Sequence, residues 1–303
     1  MNFGLRILGS NSALPSADSF ASAQVVLCNT TPYLIDCAEG TQMQMRKFKI
    51  PFGKLKNIFI SHLHGDHFYG IFGLLSSFSL MGRKQKINLY APSELENIIN
   101  HIFDFSKYKL SYQLNFIQLK NNGKNLICED KNFNVFSFPL IHSRETYGFL
   151  FQEKEKQPNI KKEYVEKYNI SIADIHKIKN GNDFVTASGK TIKNSELTIP
   201  APKSRAFAYC SDTMFLENLS KYFRDINLLY HEATFAETDK DLAKKTFHST
   251  AYQAGMAAKH TNAGKLIIGH FSTRYKNTDI LVDEAKQIFS ETIKAEDGLY
   301  IEI

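Results

Sequence analysis

Short apolar runs that end in polar or glycine-containing clusters recur along most of the chain. Alternating apolar and polar positions predict strands, and apolar positions three or four residues apart predict the helices between them. Strands are predicted at residues 3–8, 24–28, 33–35, 87–90, 114–119, 126–128, 133–139, 147–151, 206–210, 226–230, 265–268 and 299–303. Helices are predicted after residue 42, at 69–81, from Pro92, from Phe215, through Ala257 and around 283–289. This mixture of strands and helices indicates an α/β protein.

One apolar run, residues 58–60, breaks into the metal-capable side chains His62, His64, Asp66 and His67. Gly65 and Asp66 are turn residues, so the segment predicts a strand end, then a loop, then a helix. His62 and His64 project to the same side, whereas Asp66 and His67 follow the turn and can face a second point. This geometry favours two adjacent metal ions over one. Imidazole and carboxylate together favour zinc, with manganese or iron left open. The alternative is a histidine-rich surface turn that binds no metal.

Similar polar clusters follow the later predicted strands. They begin at His142, Asp212, His231 and His270, and residues 248–250 form another before a helix. Because side chains at strand ends on one edge of a sheet sandwich converge, we expect these clusters to meet at a single site. Considered alone, each of these residues is better explained as a polar side chain at a strand end whose hydrogen bonds are made within the protein.

Composition adds little beyond the class of protein. A length of 303 residues and a hydrophobic fraction of 43% support a substantial core. The N-terminus lacks a basic start followed by a long apolar run, and no apolar stretch reaches the length of a membrane span, so we expect a soluble intracellular protein. The four cysteines, which lack paired spacing, are expected to be buried thiols rather than disulfides or zinc ligands: Cys28, Cys37, Cys128 and Cys210.

Charge is concentrated in one segment. The chain carries a net charge of +6, and residues 152–205 hold 11 Lys and Arg against 7 Asp and Glu, a net of +4. The segment is also poor in large apolar clusters, which suggests an insertion into the main domain. A basic segment permits an anionic partner such as RNA. The alternatives are a second small domain or a disordered linker.

The motifs resemble those of a known superfamily. Residues 62–67 match the H-x-H-x-D-H signature of the metallo-β-lactamase superfamily, and His142, Asp212 and His270 follow in the expected order. Segments 8–15, 36–42, 231–234, 248–250 and 269–275 further resemble the ribonuclease Z family, which processes the 3′ end of tRNA. The resemblance spans nearly the whole chain. It implies one domain over 1–303, a four-layer αβ/βα sandwich of two mixed sheets flanked by helices, from which the basic arm 152–205 protrudes as a tRNA-binding exosite.

The resemblance also implies a ligand set of two zinc ions per subunit, with manganese possible instead. His62, His64 and His142 would hold one ion, Asp66, His67 and His270 the other, and Asp212 would bridge them. Asp66 would act as general base towards the attacking water. His248, oriented by Glu232, would donate a proton to the leaving 3′ oxygen. The alternative for the last pair is an ordinary capped helix start at Ser249.

Substrate contacts are expected from Ser272 and Arg274, for which a structural salt bridge is an equal alternative, and from Lys177 and Lys179 in the arm. The implied function is a zinc-dependent endoribonuclease that removes the 3′ trailer of precursor tRNA by attack of metal-activated water, leaving a 3′-hydroxyl. We expect a cytoplasmic homodimer with no membrane or other protein partner. One alternative is a small-molecule phosphodiesterase or another hydrolase of the superfamily. The other is a non-catalytic RNA-binding protein with a structural metal site.

Overall fold

The computed structural model describes residues 2–13 and 19–303, so residues 14 and 15 of the segment 8–15 lie outside the described part. The strands within that part are β1 (Phe3–Gly9), β2 (Ala23–Cys28), β3 (Thr31–Ile35), β4 (Asn57–Phe59), β5 (Ile87–Ala91), β6 (Leu114–Gln118), β7 (Asn125–Glu129), β8 (Phe133–Leu140), β9 (Thr146–Glu153), β10 (Asn159–Ile160), β11 (Phe184–Val185), β12 (Thr191–Ile192), β13 (Thr198–Ile199), β14 (Ala206–Cys210), β15 (Leu228–Glu232), β16 (Lys265–Gly269), β17 (Thr292–Lys294) and β18 (Tyr300–Glu302).

The helices alternate with these strands. They are α1 (Thr41–Lys47), α2 (Gly65–Phe68), α3 (Ile71–Leu80), α4 (Glu94–Phe105), α5 (Lys162–Tyr168), α6 (Ile172–Lys179), α7 (Asn194–Leu197), α8 (Lys240–Lys245), α9 (Ala251–His260) and α10 (Asp279–Ile288). Short 3₁₀ turns cover Phe52–Lys54, Leu219–Lys221 and Glu237–Asp239. In the part of the chain that the structure describes, none of these helices has the length and apolar character needed to cross a membrane.

Two seven-stranded mixed sheets make up most of the fold. The first has the strand order β18-β1-β2-β3-β4-β5-β6 and is parallel from β3 to β6. The second has the order β17-β16-β15-β14-β9-β8-β7 and is parallel from β14 to β17. Parallel strands covered on both faces carry continuous apolar runs, and every residue of β14 and β15 is buried.

The two sheets pack face to face through an aromatic layer. Phe59 of β4 lies 5.5 Å from Phe149 and 5.6 Å from Phe151 of β9, measured between ring centroids. On the outer face of the first sheet, apolar side chains of α1, α3 and α4 pack against the strands. On the outer face of the second sheet, α9 and α10 do the same. The predicted four-layer sandwich of two mixed sheets flanked by helices is therefore confirmed.

Strand register brings the polar clusters together. Ile35 lies beside Phe59 across the β3–β4 pair, and Glu232 lies beside Gly269 across the β15–β16 pair. The residues that follow these parallel strands consequently leave each sheet next to one another. This arrangement matches the expectation that strand-end clusters share one edge of the sandwich.

The chain divides into two compact units. One contains the described residues up to Asp130, Asn134–Phe151 and Ala206–Ile303, and the other contains Lys131–Phe133 and Gln152–Arg205. The second unit holds α5, α6, α7 and two short antiparallel strand pairs, β10–β13 and β11–β12. Four buried side chains form its centre: Ile170, Ile178, Ile192 and Leu197. The basic segment thus has a small apolar core of its own.

The predicted helix from Phe215 is wrong. The only helical turn in this region is the 3₁₀ segment Leu219–Lys221. The backbone N–H of Thr213 donates to the Glu232 carboxylate at 2.6 Å, and that of Met214 donates to the Ile141 carbonyl at 2.8 Å. Long-range partners therefore fix the residues just before Phe215, and residues 216–222 form only tight turns closed by bonds to the third preceding residue.

Other boundaries shift by a few residues. The strand predicted at 226–230 runs from Leu228 to Glu232, and the helix predicted at 283–289 begins at Asp279. The short helix α8, in which Ala243 is the buried residue, was not predicted because a single buried position gives no periodic signal. All four cysteines are free thiols, as expected; three are buried and Cys128 is partly buried.

The aromatic layer gives a stability prediction. Phe59 is fully buried, so Phe59→Ala should lower the free energy of unfolding by about 3–5 kcal/mol through lost burial and a residual cavity. Phe105, which is 94% exposed at the end of α4, is the matched control. Phe105→Ala should change the free energy of unfolding by less than about 0.5 kcal/mol in the same denaturant titration. Equal effects of the two substitutions would contradict a core that depends on this layer.

Candidate metal and catalytic site

The histidine cluster forms where the chain leaves β4. The strand ends at Phe59, an extended stretch carries His62 and His64, and α2 begins at Gly65. This is the predicted order of strand end, loop and helix. Behind α2 the backbone passes very close to Cys37 and Ala38. A Cβ atom added at Gly70 would lie only 2.0 Å from the Ala38 carbonyl oxygen. Glycine at position 70 therefore lets the helix approach the sheet.

The structure brings a first set of donor atoms together. Nε2 of His62 lies 3.0 Å from Nδ1 of His64, which in turn lies 3.2 Å from Nε2 of His142. Oδ2 of Asp212 faces this group at 3.4 Å from His62 and 3.8 Å from His142. These four side chains come from β4, the end of β8 and the end of β14.

A second set lies on the other side of Asp212. Oδ2 of Asp66 is 3.6 Å from Nε2 of His67 and 3.6 Å from Nε2 of His270. Oδ1 of Asp212 is 3.3 Å from His67 and 3.1 Å from His270. Each oxygen of the Asp212 carboxylate thus faces one set, which is the position required of a bridging ligand.

The chemistry of these donors fits a pair of metal ions. A tetrahedral zinc ion with metal–ligand bonds near 2.1 Å has ligand atoms about 3.4 Å apart, close to the spacings in both sets. Nε2 of His67 and Nε2 of His270 are buried and have no hydrogen-bond partner. Burial lowers the pKa of His62 to about 4 and lowers that of His64, which leaves neutral rings with lone pairs available to a cation.

His67 responds to the same surroundings in the opposite direction. Burial opposes its charged form, but the carboxylates of Asp212, Asp36 and Asp66 raise its pKa well above the ordinary value for histidine. In the absence of any other cation, these three carboxylates therefore hold a proton on the ring. A metal ion would replace that positive charge, which again fits the donor set.

Three of the metal-facing rings are oriented by a partner on their other nitrogen. Nδ1 of His67 meets Asp36 at 2.8 Å, Nδ1 of His270 meets the Thr234 hydroxyl at 3.0 Å, and Nδ1 of His142 meets the Phe247 carbonyl at 2.9 Å. Such contacts fix the ring tautomer and its direction. Sequence reasoning missed these partners: residues 36 and 234 lay inside recognised segments, and a backbone carbonyl has no sequence signature.

Asp36 makes further hydrogen bonds close to the donors. Its buried carboxylate also accepts hydrogen bonds from the Ser61 N–H at 2.7 Å, the Ser61 hydroxyl at 2.9 Å and the Tyr209 hydroxyl at 2.8 Å. Because Tyr209 belongs to β14, this carboxylate links the ligand loop of the first sheet to the second sheet.

Backbone strain accumulates at the same edge. Asp36, Asp212 and His270 have φ of 56°, 49° and 60°, which is the left-handed region. Each follows a strand within two residues. Non-glycine residues in sparsely populated backbone regions cost about 1–3 kcal/mol each and persist where the surrounding structure holds them. These left-handed conformations at the site therefore lower the stability of the folded protein.

His248 and Glu232 form a pair beside the donor sets. Nδ1 of His248 lies 2.8 Å from Oε1 of Glu232, which is fully buried. Burial opposes the charged imidazole, but the Glu232 carboxylate raises the pKa of His248 to about 9. His248 is therefore a cation at neutral pH, with Nε2 left to donate a proton. The helix start after His248 is capped by Thr250 with Gln253 in a capping box, one residue beyond the expected Ser249.

The remaining predicted residues fall in different places. Ser272 lines a cavity of about 580 Å³ together with Asp66, Asp212, His248 and His270. Arg274 packs over the Phe235 ring at 5.2 Å and lies 3.5 Å from Asp239, so the salt bridge considered as an alternative is formed. Lys177 and Lys179 belong to α6 of the second unit, where Lys177 lies 3.2 Å from Asp174.

Solved structures share this architecture. Human tRNase Z, short form, matches with a TM-score of 0.70 at 27% identity and covers 98% of both chains. The metallo-β-lactamase fold protein YhfI from Bacillus subtilis matches with a TM-score of 0.71 over 100% of both chains, and at 17% identity this likeness shows the fold alone. The fold and its paired donor sets together define a hydrolase of the metallo-β-lactamase fold.

Proteins of similar sequence identify the family within this class of hydrolases. Ribonuclease Z of Bacteroides fragilis is 41% identical over 301 residues, covering 99% of this chain and 99% of the relative. The model of a family described as anti-Pycsar protein Apyc1 matches residues 3–160. The chain belongs to the ribonuclease Z family, and its residues 3–160 also fall in the family described as anti-Pycsar protein Apyc1. It is therefore an endoribonuclease, a hydrolase of phosphodiester bonds. The resemblance inferred from the motifs is confirmed.

The hydrogen bonds of Asp36 give a prediction about metal affinity. Asp36→Asn removes the negative charge behind His67 and should weaken zinc binding by about 10- to 100-fold. Asp225→Asn is the matched control, because Asp225 also has a left-handed backbone and contacts Asn262 rather than a donor residue. Competition titration of the metal-free proteins with zinc and a chromophoric chelator measures both. Unchanged zinc affinity in Asp36→Asn would show that this carboxylate does not support the site.

Proposed function

We propose that this chain is a zinc-dependent endoribonuclease that cleaves precursor tRNA on its 3′ side, removes the trailer and leaves a 3′-hydroxyl. The observation that carries the proposal is the pair of donor sets sharing Asp212 next to the His248–Glu232 pair. The similarity to ribonuclease Z over the whole chain and to human tRNase Z supports this choice of substrate.

Two zinc ions per chain are proposed. His62, His64, His142 and Asp212 would hold the first, and Asp66, His67, His270 and Asp212 the second. When bound, such a pair lowers the pKa of a water molecule and neutralises charge on the phosphate. His248 also lies near Asp212 and His270. It is not assigned as a ligand, because its pairing with Glu232 keeps it protonated at neutral pH.

Asp66 is proposed to orient the attacking water. Burial opposes its ionised form, but the neighbouring His67 and His270 lower its pKa, so it is a carboxylate at neutral pH. Oδ2 of Asp66 accepts a hydrogen bond from the Ala13 N–H at 2.8 Å, which fixes the direction of the group. A carboxylate held in this way can accept a hydrogen bond and then a proton from water as the bond to phosphorus forms.

His248 is proposed to protonate the leaving group. The departing ribose 3′ oxygen is a poor leaving group unless it gains a proton in the transition state. His248 can supply that proton from Nε2 while Glu232 stabilises the ring through Nδ1. General acid catalysis of this kind contributes about 10²- to 10⁴-fold to the rate.

The basic segment 152–205 is proposed to bind the body of the tRNA as an inserted arm of the single domain 1–303. Its net charge of +4 supports this role, because contacts with the phosphate backbone dominate affinity for nucleic acid. Lys177 and Lys193 already pair with Asp174 and Asp183. Within the part of the chain that the structure describes, Lys179 and Lys190 form no such ion pair, so they are the stronger candidates for phosphate contacts, together with Ser272 beside the cavity.

We also propose a homodimer located in the cytoplasm, where a tRNA precursor is available. Large apolar side chains are exposed on and next to two helices of the first sheet, Met43 on α1 and Leu80 and Met81 at the end of α3. Exposed apolar residues of this size are typical of subunit interfaces. We propose that these side chains belong to the subunit interface.

A second candidate function is hydrolysis of small phosphodiesters. The cavity of about 580 Å³ next to the donor atoms is within the range of about 300–1,000 Å³ typical of sites for small ligands. This candidate shares the metal ligands with the first and differs in needing no arm. The third possibility, an RNA-binding protein with a structural metal, has less support because donors that face an open cavity are typical of catalytic sites.

Replacing the arm separates these functions. Glu153 and Arg205 pair at the base of the segment at 2.7 Å, so residues 157–202 can be exchanged for a short Gly-Ser linker. The wild-type protein should cut a trailer-bearing precursor tRNA at one position, mapped to the nucleotide, after the last residue that the mature tRNA retains. The linker variant should lose at least about 100-fold in this cleavage because phosphate contacts are lost. It should hydrolyse bis-(p-nitrophenyl) phosphate within about threefold of wild type, since that step needs the donor site alone.

The small substrate is the internal control for folding and metal loading. Equal loss of both reactions would refute a division between binding and chemistry. Hydrolysis of the small substrate without any precursor cleavage by the wild-type protein would favour the second candidate function.

The His248–Glu232 pair predicts a pH dependence. His248 is protonated below its pKa of about 9, so cleavage of RNA should fall as the pH rises through that value. Glu232→Gln keeps the size of the side chain and one accepting oxygen but removes the negative charge that raises the pKa of His248. The alkaline limb of kcat/KM should therefore move to lower pH by about one unit or more. Bis-(p-nitrophenyl) phosphate, whose leaving group needs no proton, should lack this limb. If the alkaline limb of kcat/KM does not move in Glu232→Gln, His248 is not the general acid.

A further inference from the structure

Asp297 joins both ends of the loop that starts after β1. Its Oδ1 accepts hydrogen bonds from the N–H and the hydroxyl of Ser10, at 3.0 and 2.8 Å. Its Oδ2 accepts the N–H of Phe20 at 2.8 Å. A single carboxylate thus contacts both Ser10 and Phe20, although Asp297 lies near the other end of the chain.

The residues that follow Ser10 contact the second donor set directly. The carbonyl of Ser10 accepts the N–H of His270 at 2.7 Å, and the N–H of Ala13 donates to Oδ2 of Asp66 at 2.8 Å. Oδ2 of Asp66 is the oxygen that faces Nε2 of His67 and Nε2 of His270. His270 and Ala13 both have left-handed backbones, with φ of 60° and 50°, so these contacts hold conformations that would otherwise relax.

The first donor set is supported differently. His62 is held by Ser61 through its Nδ1, and His142 is held by the carbonyl of Phe247. These partners belong to the ligand loop itself and to the end of α8. The contacts of Asp297 with Ser10 and Phe20 are separate from these supports, although Ser61 also bonds to Asp36, the partner of His67.

We infer that Asp297 is a positioning residue for the second metal ion alone, because it fixes the loop that orients Asp66 and His270. The inference rests on the proposed pair of metal ions. Outer contacts of this kind change metal affinity by about 10- to 100-fold when they are removed. Their effect should appear as unequal affinity of the two ions, since the first set keeps its own supports.

Asp297→Asn tests the inference. Asn keeps one oxygen, but its amide nitrogen is a donor and cannot accept the N–H groups that the two carboxylate oxygens now accept. The metal-free protein is titrated with zinc against a chromophoric chelator, and ions per chain are counted by mass spectrometry. The wild-type protein should bind two ions. Asp297→Asn should bind the first with unchanged affinity and the second about 10- to 100-fold more weakly.

Glu284→Gln is the matched control. Glu284 also accepts two backbone N–H groups, from Glu237 at 2.9 Å and from Tyr252 at 2.8 Å, but it does not touch the loop after β1. This variant should lose stability in thermal unfolding and bind both ions as the wild type does. Ser10→Ala, which removes only the hydroxyl contact, provides a milder second variant. It should weaken the second ion in the same direction by about 3- to 10-fold.

The outcomes distinguish a failure of the inference about Asp297 from a failure of the two-ion proposal. A wild-type protein that binds fewer than two ions would refute the two-ion proposal and the inference with it. With two ions in the wild type, equal weakening of both ions in Asp297→Asn, or no weakening of either, would overturn the role of Asp297 and leave the proposed function standing.

Discussion

The site depends on one buried charge, the carboxylate of Asp212. It is almost inaccessible to solvent, and its two oxygens face imidazoles on opposite sides, those of His62 and His142 and those of His67 and His270. Burial opposes ionisation, but the surrounding imidazoles hold the pKa of Asp212 well below its usual range. A buried charge without compensation is strongly destabilising, so this carboxylate depends on the imidazoles that both sheets place around it at one edge of the sandwich.

The fold supplies these partners through the carboxyl ends of parallel strands. β4 of the first sheet and β14, β15 and β16 of the second all end at this edge, and the chain turns there through left-handed residues. The hydrogen bond from Tyr209 to Asp36 links the two sheets directly behind the donors. The aromatic layer between the sheets holds their separation. The geometry of the site therefore depends on contacts that are remote from the reacting atoms.

The sequence predicted those parts of the site that are local. Residues 62–67 fold as strand end, loop and helix because their turn residues and spacing are contiguous. His142, Asp212 and His270 could be assigned only through the order of motifs in a family, since each is unremarkable by itself. The support of His67 by Asp36 depends on the register of β3 and β4, which no local pattern specifies. The helix expected from Phe215 does not form, and the N–H groups of Thr213 and Met214 just before it bond to residues distant in sequence, which no local pattern specifies either.

Thr234 connects the proposed general acid, His248, to the second donor set. Glu232 is ionised, because His248 lowers its pKa against the effect of burial, and can only accept hydrogen bonds, so the Thr234 hydroxyl donates to it at 2.5 Å. A hydroxyl has one proton, and the oxygen of Thr234 must then accept from Nδ1 of His270 at 3.0 Å. That assignment leaves Nε2 of His270 with a lone pair directed at Asp66 and Asp212, as a metal ligand requires. The charge on Glu232 thus sets both the protonation of His248 and the tautomer of His270. The proposed acid and the second donor set are consequently fixed by the same carboxylate.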